Sequence, residues 1–154
     1  MKRICIVCRG NICRSPMGEF ILKDMVKKGE YHVESRATHT DEIDNGVGNP
    51  VYPPALRELA RRGVPCEAHR ATLLQSADYH RFDLFLCMDD ANLKSMLSIF
   101  GGDPAHKLHK LLSYTDAGGN VADPWYTRDF SAAFLEISAG CEGFLASETS
   151  GRRT

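Results

Sequence analysis

The residues with the most chemistry to offer stand near the start of the chain, in the run Cys8-Arg9-Gly10-Asn11-Ile12-Cys13-Arg14-Ser15-Pro16. A cysteine that acts as a nucleophile must be a thiolate at neutral pH, whereas a free thiol ionises near pH ~8.5. A helix N-terminus, converging loop amides and a neighbouring guanidinium all favour the anion. Gly10 permits positive φ or a close approach, and Asn11 is one of the few residues with a side chain that tolerates the left-handed region. Arg14 carries a planar fork that holds two phosphate oxygens while staying charged. A nest of backbone N–H groups with one such fork suits a phosphate dianion better than a lone lysine would. A cysteine and an arginine with five residues between them, and a serine next, therefore point to a thiolate that attacks a bound phosphate.

Such a loop has to be held between a strand end and a helix start. Lys2 to Cys8 is a short run rich in Ile and Val, which suits a buried strand. Ser15-Pro16 then reads as a helix start, with Ser as cap and Pro in the first turn. Met17, Phe20, Ile21 and Met25 follow at helical spacing, and Lys27-Lys28-Gly29 is a stop. Tyr31 to Ala37 reads as a second strand, and Thr38 to Pro54 as a loop. Ala55 to Arg62 is a short helix, Leu84 to Met88 a third strand, Asp90 to Phe100 a helix and Lys107 to Leu112 a fourth strand. Tyr114 to Tyr126 reads as a loop. The last helix runs from about Asp129 to Ser147, with Phe130, Phe134, Ile137, Cys141, Phe144 and Leu145 in one stripe, and the tail 150–154 is expected to fray. This alternation predicts a three-layer α/β fold, a four-stranded parallel sheet with helices on both faces, and a phosphate-binding loop after the first strand. Ligands of such sheets bind at the carboxyl ends of the strands, which is where Cys8 falls.

The bulk composition sets outer limits. At 154 residues the chain fits one domain spanning 1–154, and 43% hydrophobic with 25% charged residues is ordinary for a globular protein. A formal net charge of −1 gives no basic surplus for nucleic acid or an anionic membrane. The apolar run after Met1 is only Ile4 to Cys8, too short for a secretory signal or a membrane span, so a cytoplasmic address is expected. The six cysteines then read as free thiols rather than a disulfide framework. Cys5-Ile6-Val7-Cys8 has C-x-x-C spacing, but residues three apart on a strand point to opposite faces, and no second pair completes a zinc site.

The loop, taken whole, resembles that of the low-molecular-weight protein tyrosine phosphatases, a family with V-C-x-G-N-I-C-R-S-P near its N-terminus, reproduced here by Val7 to Pro16. Family-like segments recur at 83–89, at Asn92-Leu93 and at Asp123-Pro124-Trp125-Tyr126, so the likeness covers nearly the whole chain. The resemblance implies hydrolysis of protein phosphotyrosine through a phosphocysteine on Cys8, with Arg14 as the phosphate clamp. It makes Asp123 the acid that protonates the leaving phenol and then the base that activates water. Ser15 would hydrogen-bond the sulfur, and Asn11 with Ser15, Ser35 and His69 would hold the loop in shape. Trp125 and Tyr126 would form one wall of the cleft, where a substrate ring can stack, or else pack under a loop. Ile12 gives an apolar face where relatives acting on phosphoarginine carry Thr. Arg9 lines the rim, either as a cation that favours acidic residues beside the phosphotyrosine or as a solvated charge. Cys13 shares the loop with Cys8, close enough to trap an oxidised sulfur as a disulfide, or else is a passive thiol.

The implied protein needs no metal or organic cofactor, acts on tyrosine-phosphorylated proteins and is expected to be a monomer. Two rivals share parts of the pattern. A thioredoxin-coupled arsenate reductase on the same fold needs a relay of further cysteines, and Cys87 stands alone in the relevant region. A phosphate-binding module without catalysis would not need both Cys8 and Asp123. Two departures from the family stand out. Thr72 occupies a place where an arginine often braces the acid matching Asp89, and the 38–49 loop carries Asp41, Glu42 and Asp44 in place of the usual aromatic wall.

Overall fold

The computed structural model describes residues 1–153, with side chains through Ser150. Its first strand, β1 (Lys2–Cys8), lies inside a four-stranded parallel sheet, between β2 (Tyr31–Ala37) and β5 (Leu84–Cys87), with β6 (Leu108–Lys110) beyond β5. Every residue from Ile4 to Cys8 is buried because both faces of this inner strand are covered. β2 is an edge strand, and its burial alternates through Val33, Ser35 and Ala37. The β1–β2 register runs from Lys2 opposite Tyr31 to Cys8 opposite Ala37, so Ser35 comes to lie beside Ile6, close under the carboxyl end of β1.

Helices α1 (Arg14–Met25) and α5 (Phe130–Arg153) cover one face, over Ile4, Ile6 and Cys8. The other face, with Cys5 and Val7, packs with Met96 of α3 (Asp90–Phe100) and with Leu74, Tyr79 and Phe82. The stripe of α5 is buried from Phe130 to Phe144, each such side chain contributing about 1.5–3 kcal/mol by leaving water. A Cβ on Gly18 would sit 2.9 Å from Ile6 Cγ2, so α1 rests directly on β1 and the loop between them is short of slack.

Several boundaries differ from the sequence reading. Ser15 does not cap α1: Cys13 holds the cap position with no side-chain bond, and Ser15 is the second helical residue. Helix α2 (Pro53–Arg61) starts at the prolines, which fit a first turn whose N–H groups need no intrahelical acceptor. The 38–54 stretch is not all loop: β3 (Ile43–Asp44) and β4 (Val47–Gly48) form a small antiparallel hairpin. Its turn, Asn45-Gly46, has positive φ at both residues, as a tight hairpin turn requires. The third strand ends at Cys87, and the fourth is shortened to Leu108–Lys110 because Leu111–Tyr114 winds into a 3₁₀ turn against α5. The expected loop before α5 contains one helical turn, α4 (Pro124–Thr127). α5 itself continues past Ser147 to Arg153, so 150–153, expected to fray, are helical; Thr154 lies outside the described residues. No described helix is long and apolar enough to cross a membrane.

Candidate active site

The loop from Cys8 to Arg14 is tied outward by its carbonyls. Cys8 O accepts from Thr38 N at 3.0 Å, Arg9 O from His39 N at 3.1 Å and Ile12 O from Tyr52 N at 2.9 Å. Asn11 O accepts from His69 Nε2 at 2.9 Å, so that nitrogen carries a proton. In a trans peptide the next N–H points opposite to the C=O, and no peptide here is cis. The N–H groups of Arg9, Gly10, Ile12 and Cys13 therefore face the cavity that these residues line. Asn11, at φ 60°, makes the left-handed bend in the loop. Gly10 has no positive φ, and a Cβ there would make a tight contact with Glu42 Cγ at 3.3 Å.

Three donors reach the sulfur. Asn11 N lies 3.3 Å and Ser15 N 3.4 Å from Cys8 Sγ, and Ser15 Oγ is at 3.0 Å. The direction of the hydroxyl bond follows from the buried groups behind it. Thr72 N donates to Asn11 Oδ1 at 3.0 Å, which orients the amide. Asn11 Nδ2 then donates to Ser15 Oγ at 2.7 Å and to Ser35 Oγ at 2.9 Å. Ser35 spends its own proton on Glu19 Oε1 at 2.6 Å. Ser15 Oγ, already an acceptor, has its proton left for Cys8 Sγ. Every link in the chain from Glu19 to the sulfur is thus fixed in sense, an arrangement that aims donors at Cys8 Sγ.

Arg14 is buried at the floor. Its Nη1 donates to Asp89 Oδ2 at 2.7 Å and to Val121 O at 2.8 Å, while Nη2 lies 3.5 Å from Asp123 Oδ2. Burial works against its charge, but Cys8, the Asp89 hydrogen bond and Asp123 outweigh that and hold the guanidinium above its usual range. Asp89 is braced by Arg14 and by Asn92 N, which it caps at 2.8 Å at the start of α3. Thr72 takes no part in that brace; its N–H serves Asn11 instead.

Asp123 caps α4: its Oδ1 accepts from Trp125 N at 3.0 Å, and Pro124 occupies the first helical position. The carboxyl is therefore aimed by the helix turn, with Oδ2 toward Arg14. Trp125 leans on Tyr52, ring centroids 4.7 Å apart, and Tyr126 is largely exposed. Together with the loop, Asp41 and Glu42 they enclose a cavity of about 160 Å³. The structure thus brings Cys8, Arg9, Gly10, Asn11, Ile12, Cys13, Arg14, Asp123, Trp125 and Tyr126 to one cavity, with Ser15, Ser35 and His69 behind the loop.

Arg9 is not a free rim cation. Its Nε is 2.6 Å from Asp41 Oδ2, a hydrogen bond that raises the guanidinium still further. Cys13 is buried, and burial, then Cys8 and Asp123, push its thiol up to about 12. Cys5 and Cys87 lie in the cluster on the opposite face of the sheet from Cys8, and burial pushes Cys87 up to about 12, which suits a packed thiol and not a relay. All six cysteines are free, and no group of three His, Cys, Asp or Glu among the described residues is placed to hold a metal ion.

Sequence reasoning missed Glu19. No sequence signal marks it: it reads as an ordinary helical acid, and its burial follows only from α1 being covered from Arg14 to Leu22. His69 Nδ1 also stands 3.9 Å from Glu19 Oε1, which joins the histidine to the same network.

The site's geometry has counterparts in known proteins. The family model for the low molecular weight phosphotyrosine protein phosphatase matches residues 3–152. The low molecular weight protein-tyrosine-phosphatase YfkJ of Bacillus subtilis is 32% identical over 149 residues, covering 96% of each chain. PtpA of Staphylococcus aureus, with the same description, is 29% identical, covering 94% of this chain and 92% of its own. The crystal structure of SP-PTP from Streptococcus pyogenes superposes with a TM-score of 0.86 at 32% identity, over 96% of this chain and 93% of that one. With the match running from β1 through α5 and the Cys8 loop inside it, this chain belongs to the low molecular weight phosphotyrosine protein phosphatase family.

Proposed function

We propose that the protein hydrolyses phosphotyrosine on protein substrates through a phosphocysteine on Cys8. The observation that carries the reading is the convergence of three donors on Cys8 Sγ beside a guanidinium that two fixed acceptors hold in place. In the first step the sulfur attacks phosphorus, the P–O bond to tyrosine breaks, and Asp123 gives its proton to the departing phenolate oxygen. General acid help of this kind is typically worth about 10²–10⁴-fold, and a phenol with a pKa near ~10 needs it. In the second step Asp123 takes a proton from water, the water oxygen attacks phosphorus, and the S–P bond breaks to release phosphate. The Ser15 hydroxyl stabilises the sulfur as it leaves. Loop amides and Arg14 bind the transferring oxygens, so no cofactor is needed.

Ile12 and Trp125 on the cavity wall suit an aromatic ring between apolar surfaces. Cys13 serves as the thiol that traps oxidised Cys8. A single domain acting as a monomer in the cytoplasm completes the reading, and the even charge balance speaks against a nucleic-acid or anionic-membrane partner. The purified protein, assayed with chelator on matched phosphotyrosine, phosphoserine and phosphoarginine peptides, should turn over the phosphotyrosine peptide. Cys8→Ser should abolish that turnover and still bind vanadate. Preference for another phosphoamino acid, or a need for added metal, would overturn the substrate assignment.

A further inference from the structure

We propose that Asp41 and Glu42 make this site select phosphotyrosine flanked by basic residues, an inference that rests on the phosphatase reading of the same cavity. The rim of the cavity on the hairpin side carries three charges, Arg9, Asp41 and Glu42. Arg9 and Asp41 are paired at 2.6 Å with both side chains about half exposed, so each cancels the other for an approaching peptide. Glu42 is left over. Its Oε2 accepts from Asn49 Nδ2 at 2.8 Å, a neutral donor that orients the carboxylate without neutralising it. Its Cγ lies 3.3 Å from the place of a Gly10 Cβ, so the stem of the side chain rests against the phosphate loop and the residue lines the cavity. Across the cavity stand Trp125 and Tyr126, which offer rings and no cation. Arg14 is deeper, held by Asp89 and Val121, and its charge belongs to the phosphate.

The acidic rim is also rigid. Glu42 O accepts from Asn49 N at 2.9 Å, and Asn49 O from Ala71 N at 2.9 Å. A Cβ on Gly48 would lie 1.9 Å from Ala71 O, so only glycine lets β4 approach the 69–72 segment this closely. Arg70, the nearest other cation of that segment, donates to Gly48 O at 3.3 Å and does not line the cavity. A lysine or arginine next to the phosphotyrosine would thus meet a preformed carboxylate, whereas a glutamate there would meet a like charge. Exposed pairs of this kind are individually weak, and exchanging attraction for repulsion compounds two such effects to about fivefold in kcat/KM.

The test uses two phosphotyrosine peptides that differ only in carrying lysines or glutamates on both sides of the phosphotyrosine, with a small neutral aryl phosphate as reference. At low salt the wild type should favour the lysine peptide about fivefold, and the ratio should shrink as salt screens the rim. Glu42→Gln should bring the ratio close to one. The double variant Asp41→Asn/Glu42→Gln releases Arg9 and should invert the preference, favouring glutamate. If the wild type hydrolyses the aryl phosphate and treats the peptides alike, or favours glutamate, the rim assignment falls and the phosphatase reading stands. An unchanged ratio in the double variant overturns the rim assignment equally. If neither the aryl phosphate nor either peptide is hydrolysed, both readings fail together.

Discussion

Replacing Asn11 by aspartate tests the directed hydrogen-bond chain with almost no change of shape. The two side chains are isosteric, and aspartate tolerates the left-handed backbone at φ 60° nearly as well, so the loop keeps its bend. Thr72 N keeps an acceptor in place of Oδ1. What changes is the other atom, Nδ2, which donates to Ser15 Oγ at 2.7 Å and Ser35 Oγ at 2.9 Å. A carboxylate oxygen there cannot donate, so it competes for the Ser15 proton now aimed at Cys8 Sγ. Hydrogen bonds to charged groups are worth about 1.5–3 kcal/mol, and losing one at the sulfur should slow Cys8 phosphorylation by about 10- to 150-fold. The same carboxylate is fully buried near Glu19, so stability should fall as well. Stopped-flow single turnover of an aryl phosphate reads the chemical step, and alkylation of Cys8 by iodoacetamide at neutral pH should slow alongside it. Ser15→Ala should show a similar loss, and adding Asn11→Asp to it should cost little more in rate. If Asn11→Asp reacts as fast as the wild type while Ser15→Ala is slow, the proton of Ser15 is not steered by Asn11 and the chain has no fixed sense.

Asp123→Asn keeps the cap on Trp125 N, since asparagine caps equally well, and should slow phosphotyrosine hydrolysis by about 10²–10⁴-fold while sparing the first step on an acidic aryl leaving group; equal losses on acidic and basic leaving groups in single turnover would remove it as the acid. Peroxide should inactivate the protein reversibly, and in Cys13→Ser recovery by thiol reductant should largely vanish. Because burial, then Cys8, push the Cys13 thiol up to about 12, trapping needs a proton removed, and the fraction recovered by reductant should rise between pH 6 and 8; a flat profile would show that Cys13 is passive. Burial likewise pushes Cys87 and Cys141 up to about 12, so above pH ~9 the unfolded chain loses thiol protons that the folded one keeps. Stability to urea, measured in reductant, should then fall with rising pH by up to about 1.4 kcal/mol per pH unit for each such thiol, and constant stability between pH 8 and 10.5 would refute this.

The parts of the fold that were legible in the sequence are those where one physical requirement dominates. Ile4 to Cys8 had to be an inner strand because nothing polar interrupts it, and the α5 stripe declared its buried face at helical spacing. Asn11 at positive φ was legible from its residue type. Where two requirements compete, the sequence reading went the wrong way. Ser15 beside Pro16 looks like a cap, but the loop's need for a hydroxyl at the sulfur draws it into the helix. The hairpin over 43–48 has strands too short and too exposed to show an alternation, although Asn45-Gly46 is a strong turn signal. For Arg9 the sequence leaves a rim cation and a solvated charge equally open, and neither reading includes the partner 32 residues away that the fold brings to it. Glu19 looks like any helical acid, because its partner Ser35 comes from β2 and reaches it only through the sheet register.

The Arg14 contacts explain how one guanidinium can serve both a nucleophile and an acid on the proposed reading. Nη1 is fully used by Asp89 and Val121 O, contacts that reach from the floor of the cavity to two different loops and fix the plane of the fork. The edge carrying Nη2 is left toward the cavity, where Asp123 Oδ2 stands off at 3.5 Å, longer than a good charge-assisted bond. A phosphate entering over Cys8 offers that edge two oxygens in the plane already set, so it takes Nη2 with better geometry than Asp123 has. Asp123 then loses a loose partner rather than a tight one, and its cap on α4 keeps the carboxyl at the cavity wall. Had Asp123 been held as closely as Asp89 is, the acid would have been bound to the clamp and unavailable for proton transfer. On the proposed reading, the difference between 2.7 Å at Asp89 and 3.5 Å at Asp123 separates a structural brace from the proposed acid on the same arginine.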